Sequence, residues 1–118
     1  MPMVAVNRDG IVGVIWYDRR DDPSNLGWSI RFAASLDGGE TWMPSVRVSS
    51  QPNVFDEDGF LSTNAPAIGV TIELDDRQFY AADTVGMTAA ADGSFHPFWV
   101  DNRTGVPQVW TARVRVQR

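Results

Sequence analysis

Two short motifs set an aromatic ring, a carboxylate and a guanidinium at alternate positions: Trp16-x-Asp18-x-Arg20 and Trp99-x-Asp101-x-Arg103. Alternate residues of an extended chain share a face, so each arginine falls close to the aspartate before it. Two chemistries compete for such a group. An arginine fork turned into a pocket grips a ligand carboxylate with paired bonds, which makes Arg20, Arg103, Asp18 and Asp101 the candidate substrate-binding residues. The same fork turned back onto its own aspartate closes the loop that follows the strand. The motif occurs twice in one register, and repetition is what architecture produces, so the structural role is favoured.

Other reactive groups carry less. Asp18, Asp21 and Asp22 cluster, as do Asp56, Glu57 and Asp58, and oxygen-rich loops suit Ca²⁺. Neither cluster follows the twelve-residue calcium loop, so both read as solvated acidic loops and no metal is expected. His96, the sole histidine, lies in a β-rich run beside Pro97 and reads as a packed or hydrogen-bonded side chain. No phosphate-cradling glycine loop is present, since Gly38-Gly39 belongs to a β turn, and no cofactor is expected.

The elements that must position these groups repeat. Residues 3–17 read as two β-rich runs joined by Arg8-Asp9-Gly10, a hairpin whose Gly10 supplies the positive φ of the turn. Residues 87–100 repeat it at an offset of 83, with Asp92-Gly93 on Asp9-Gly10 and Trp99 on Trp16. Polar loops follow at 20–27 and 102–107, then third strands at 28–34 and 108–116. A fourth strand is expected at 46–49 in the first copy only. The second strands are apolar at consecutive positions, as in Ile11 to Trp16. A sheet with one wet face would alternate, so these strands are expected to be covered on both sides. Sheets stacked around an axis, as in a propeller, meet that demand better than a single sandwich. Residues 51–84 read as an insertion, with a hairpin of 68–74 and 78–82 turning at Asp75-Asp76.

Between the third and fourth strands of the first copy lies Ser35-x-Asp37-x-Gly39-x-Thr41-Trp42. Asp37 is suited to accept backbone N–H bonds of the turn, Gly38 and Gly39 permit positive φ, and Trp42 is expected to pin the turn to its sheet. At every defined position these residues resemble the Asp box, or BNR repeat, of the sialidase-like propellers. The second copy, from Asp83 to Gly105 and on to Ala112, looks like the last blade of the bacterial exo-α-sialidase family. The resemblance covers 3–50 and 83–114 and is weakest over the insertion.

The resemblance implies an all-β fold of antiparallel four-stranded blades in a six-bladed propeller, about two blades of which lie in residues 1–118: a blade at 3–50, the insertion at 51–84 and a last blade at 85–116. In the family the Asp box lies away from the substrate pocket, so Ser35, Asp37, Gly39, Thr41 and Trp42 are structural. True sialidases bind the sialic acid carboxylate with three arginines, and use a Tyr–Glu nucleophile and an Asp acid/base. This chain departs from that pattern: it has no Arg-Ile-Pro motif, and neither Tyr17 nor Tyr80 sits in a matching context. No catalytic residue is carried over. The chain is expected to be a C-terminal or truncated part of a sialidase-like glycoside hydrolase, contributing structure and pocket-rim loops and inactive by itself. The rival expectation is a non-catalytic propeller that binds glycans or proteins. The missing blades, or further copies of the chain, are the expected partners.

Composition sets the outer bounds. Of 118 residues, 43% are hydrophobic and 21% charged, enough to form a core. Ten Lys+Arg against fifteen Asp+Glu, net −5, argue against nucleic acid or an anionic membrane surface as partner. No apolar run approaches the ~20 residues that cross a bilayer. The absence of cysteine excludes disulfides and thiolate metal sites and leaves the compartment open, although the resemblance implies secretion or a periplasmic location.

Overall fold

The computed structural model describes residues 2–25, 27–53, 85–101, 103–104 and 108–117. Within them the chain forms antiparallel strands: β1 (Met3–Val6), β2 (Val12–Asp18), β3 (Ser29–Ser35), β4 (Val46–Arg47), β5 (Val85–Ala89), β6 (Phe95–Asp101) and β7 (Gln108–Thr111). They make two meanders, a four-stranded sheet ordered β1-β2-β3-β4 and a three-stranded sheet ordered β5-β6-β7. The expected all-β, antiparallel character is therefore present. The fourth strand is shorter than 46–49, because Val48 and Ser49 leave the ladder to close on Ile30. The Val48 amide donates to the Ile30 carbonyl at 2.8 Å, and the Ile30 amide donates to Ser49 Oγ at 3.0 Å.

The two sheets are copies in detail. β2 and β6 coincide at the offset of 83. Their hairpin turns share one bonding scheme: Gly10 N donates to the Asn7 carbonyl and Asn7 N to that of Ile11, as Gly93 N does to Ala90 and Ala90 N to Ser94, all at 2.8–3.0 Å. Gly10 and Gly93 have φ of 76° and 85°, the left-handed conformation that the turn requires. β3 begins 11 positions after the end of β2 and β7 begins 7 after the end of β6, so the third strands are out of the common offset by four residues.

Pro97 stands in β6, the central strand of its sheet, where a missing N–H normally forbids proline. The ladder shows how it is accommodated. Phe95 exchanges both backbone bonds with Val114 at 2.9 Å, and antiparallel pairs alternate, so the Pro97 nitrogen faces Ala112. There the β7 pairing lapses after Thr111 and resumes only at the Phe95–Val114 bridge.

The core lies between the sheets, where Ile11, Ile15, Ile30, Phe32 and Ala34 of the first pack on Phe95 and Trp99 of the second. Phe32 and Phe95 meet at 5.3 Å between ring centroids. Gly13 is what lets them in: a Cβ there would lie 2.8 Å from both Phe32 Cε2 and Phe95 Cε1. At the rim, Asn7 Nδ2 donates to the Gly93 carbonyl at 2.8 Å and Arg8 to that of Ala91 at 2.7 Å, joining the two equivalent turns.

The expectation that β2 and β6 are covered on both faces holds for one face of each among the described residues. In β2 the odd positions Ile11, Gly13 and Ile15 are buried while Val12, Val14 and Trp16 are half-buried; in β6 Phe95, Pro97 and Trp99 are buried while Phe98 is 39% exposed. Phe95 is the repeat equivalent of Val12 and Trp99 of Trp16. The sheets therefore bury opposite faces of equivalent strands.

Candidate functional site

Each Trp-x-Asp-x-Arg motif ends the second strand of its sheet, and strand alternation aims its carboxylate back at the indole two residues earlier. Trp16 Nε1 donates to Asp18 Oδ2 at 2.7 Å, and the Arg20 amide and Nε both donate to Asp18 Oδ1 at 2.9 Å. The second copy repeats this: Trp99 Nε1 donates to Asp101 Oδ2 at 3.2 Å, the Arg103 amide donates to Asp101 Oδ1 at 2.9 Å, and the Arg103 guanidinium forms an ion pair with Asp101. Each aspartate thus accepts from an indole, a backbone amide and a guanidinium. Among the described residues no hydrogen bond or ion pair joins one motif to the other.

Burial separates the copies. Asp101 is 1% exposed and the Arg103 side chain 12%, whereas the Arg20 side chain is 59% exposed. Arg103 also donates to Ser50 Oγ at 2.6 Å, a bridge between the sheets, and lies 4.3 Å over the Trp110 ring in a cation–π contact. Burial opposes ionisation of Asp18, but the Arg20 guanidinium, the Arg20 amide and the Trp16 indole outweigh it and hold the carboxyl at about 2. The same balance of burial against Arg103 and Trp99 depresses Asp101. Both aspartates are anions at neutral pH and hold their arginines as cations.

The acidic cluster after β2 is also engaged internally. Asp21 takes two bonds from Arg31 Nη1 at 2.8 and 3.1 Å, while Arg31 also reaches Ser45 Oγ and its carbonyl. Asp22 accepts from the Ser24 amide and hydroxyl and from the Gly27 amide. Among the described residues no group of three or more His, Cys, Asp or Glu side chains could hold a metal ion. Asp56, Glu57 and Asp58, Tyr80 and the hairpin expected at 68–82 lie outside the described residues.

Residues 35–42 form a closed turn. Ser35 Oγ donates to Asp37 Oδ1 at 2.7 Å and accepts from the Gly39 amide at 2.8 Å; Asp37 accepts from the Thr41 amide at 2.9 Å and from its hydroxyl. Bonds from Ser35 and Thr41 hold the Asp37 carboxyl well below the usual carboxylate range. Gly38 and Gly39 have φ of 76° and 105°. Trp42 departs from expectation. It is 46% exposed, and it folds over its own turn, donating Nε1 to the Gly39 carbonyl at 3.1 Å, rather than fastening the turn to the sheet. The turn is already closed by the short polar side chains of Ser35, Asp37 and Thr41, and the indole finds its bond within that turn.

His96 sits on the open face of β6, its Nε2 3.0 Å from Ser94 Oγ, and Ser94 in turn donates to Asp92. Asp92 is drawn below the usual carboxylate range by the Ser94 hydroxyl and amide and by Arg113. Asn7, Arg31 and Ser50, which tie loops and sheets together, escaped sequence reasoning. Arg31 alone left a signal, as a cation inside the apolar run 28–34. Compared with protein-family models, curated proteins and solved structures, the chain matches none.

Proposed function

We propose that this chain is a pair of blades of a sialidase-like propeller whose residues build the frame of a binding or catalytic rim and do not themselves perform chemistry. The carrying observation is the packing of opposite faces of equivalent strands. A sandwich of two copies related by a twofold axis would bury the same face of each, whereas units related by a rotation that continues in one direction bury opposite faces. The proximity of the like edge strands β1 and β5 supports the same arrangement. The arginines fit a framing role, because each is held by its own aspartate.

A second reading rests on Arg20. Its side chain is largely exposed, and the guanidinium edge turned away from Asp18 is available to the carboxylate of an acidic glycan at the rim. That reading makes the chain the rim of a sialidase-like hydrolase; the framing role is common to both. Incubation with a fluorogenic sialoside is expected to release no fluorophore, and Arg103→Ala is expected to lower the melting temperature. Turnover that disappears in Arg103→Ala at an unchanged melting temperature would defeat the framing role.

A further inference from the structure

We infer that Asp92, Ser94 and His96 form a directed chain of hydrogen bonds that fixes the His96 imidazole as its Nε2–H tautomer. Nδ1 is then left, on the open face of the second sheet, as a basic site for a neutral hydrogen-bond donor such as a hydroxyl. The blade reading is not needed for this.

Proton counting sets the direction of the chain. The Ser94 hydroxyl has one proton to give, and two neighbours compete for it. Asp92 Oδ1 lies 2.5 Å from Ser94 Oγ, while Asp92 Oδ2 pairs with Arg113 and, at 3.6 Å, with Arg115. Two guanidiniums keep this carboxylate charged, and a charged carboxylate only accepts. Ser94 therefore gives its proton to Asp92, and its other contacts must donate to it. One is Arg113 Nε at 3.4 Å and the other is His96 Nε2 at 3.0 Å. A neutral imidazole carries a single N–H, so Nδ1 keeps its lone pair. Among the described residues no hydrogen bond reaches Nδ1.

Repetition marks architecture, and this set is not repeated. At the offset of 83, Ser94 and His96 stand where the first copy has Ile11 and Gly13, and only the turn aspartate, Asp92 for Asp9, is shared. Strand pairing, Trp16 with Arg31 and Trp99 with Trp110, puts Arg113 in the place of Ala34. Solvation of an open face asks only for polar side chains. Here the residue that holds the imidazole is 1% exposed and its hydroxyl is engaged on every side. The neighbours select the donor. Arg113 and Arg115, 49% and 64% exposed, gather at one carboxylate, which disfavours a cation. Thr88, exposed and paired with His96 across the ladder, sets a hydroxyl on the same face.

Nitrogen–proton correlation spectra of the histidine ring at about pH 8, where an ordinary imidazole is neutral, test the assignment. They are expected to show a protonated Nε2, an unprotonated Nδ1 and a ring N–H proton that exchanges slowly enough to be seen. Asp92→Ala frees the Ser94 proton for the ring, and is expected to average the two nitrogen signals and to lose that N–H. Ser94→Ala is expected to do the same; if it fails to fold, Asp92→Ala, at an exposed turn position, carries the test. Diethyl pyrocarbonate checks access to the lone pair. Nδ1 bonds to its carbonyl carbon, ethyl carbonate leaves with the electron pair and the Nε2 proton passes to solvent, so one ethoxycarbonyl group is expected on His96. Averaged or Nδ1–H signals in the parent, variants that leave the signals unchanged, or an unreactive His96 would overturn the inference.

Discussion

The two Trp-x-Asp-x-Arg motifs share a bonding pattern and differ in environment, which makes them a natural comparison. Removing Asp101 leaves the largely buried Arg103 cation without its carboxylate, and breaking a buried pair in this way costs about 3–5 kcal/mol. Removing Asp18, whose own side chain is 10% exposed, leaves the Arg20 cation in water, and a pair whose cation is solvated stays near the roughly 0–1 kcal/mol of surface pairs. Asp101→Ala is therefore expected to destabilise the fold severely and Asp18→Ala only slightly, as read by chemical denaturation. Equal losses would show that burial does not separate the two copies. The motif was legible in the sequence as a repeated spacing. Which copy is buried was not, because Ser50, which Arg103 reaches, is 53 residues away in sequence, and the Trp110 ring meets the guanidinium only once β7 has folded beside β6.

At the scale of the element, β2 and β6 show what decides a residue in a repeat. Gly13 and His96 occupy equivalent positions, yet one permits no side chain and the other carries an imidazole. Gly13 lies on the face that Phe95 and Phe32 press against, and His96 lies on the open face. A valine at position 13 is expected to force those rings apart at a cost of about 1–3 kcal/mol, the range for an overfilled core. Thermal melts of Gly13→Val and His96→Val would check this, with a clear loss for the first and little change for the second. The hairpins and their turn glycines were readable from the β-rich runs and the Asp-Gly pairs between them. The shortened β4 was not, since it ends where Ser49 Oγ takes the place of a backbone acceptor.

For the molecule as a whole, the depressed carboxyls set a pH dependence. Asp18, held at about 2 against an ordinary 3.8, is joined by Asp37, Asp92 and Asp101, each shifted down. A carboxyl that is more acidic in the folded chain contributes stability above its unfolded value, and that contribution fades as pH falls towards the folded one. Stability is therefore expected to be flat with respect to these groups above pH ~5 and to decline from about pH 4 down to 2. A melting temperature that stays constant over that acid range would contradict it. The turn at Ser35 to Thr41 contributes to the same decline, because a charged Asp37 accepts from Ser35 and Thr41 more strongly than a protonated one.

Local chemistry settled much of this protein in advance. Period-2 runs, paired Asp-Gly turns, the offset of 83 and the closed turn at Ser35 to Thr41 all follow from short-range sterics and hydrogen bonding, which a sequence encodes directly. The doubly apolar strands led to the expectation of cover on both faces, which holds for one face of each among the described residues. Tertiary structure alone decided which face each sheet buries, since Ile11-Gly13-Ile15 and Val12-Val14-Trp16 are nearly equal in apolar character. The choice fell to shape: only the face with Gly13 has room for the Phe95 ring. The closure of each arginine on its aspartate is local, over two residues, and tertiary structure added only the burial that Arg103 has and Arg20 lacks.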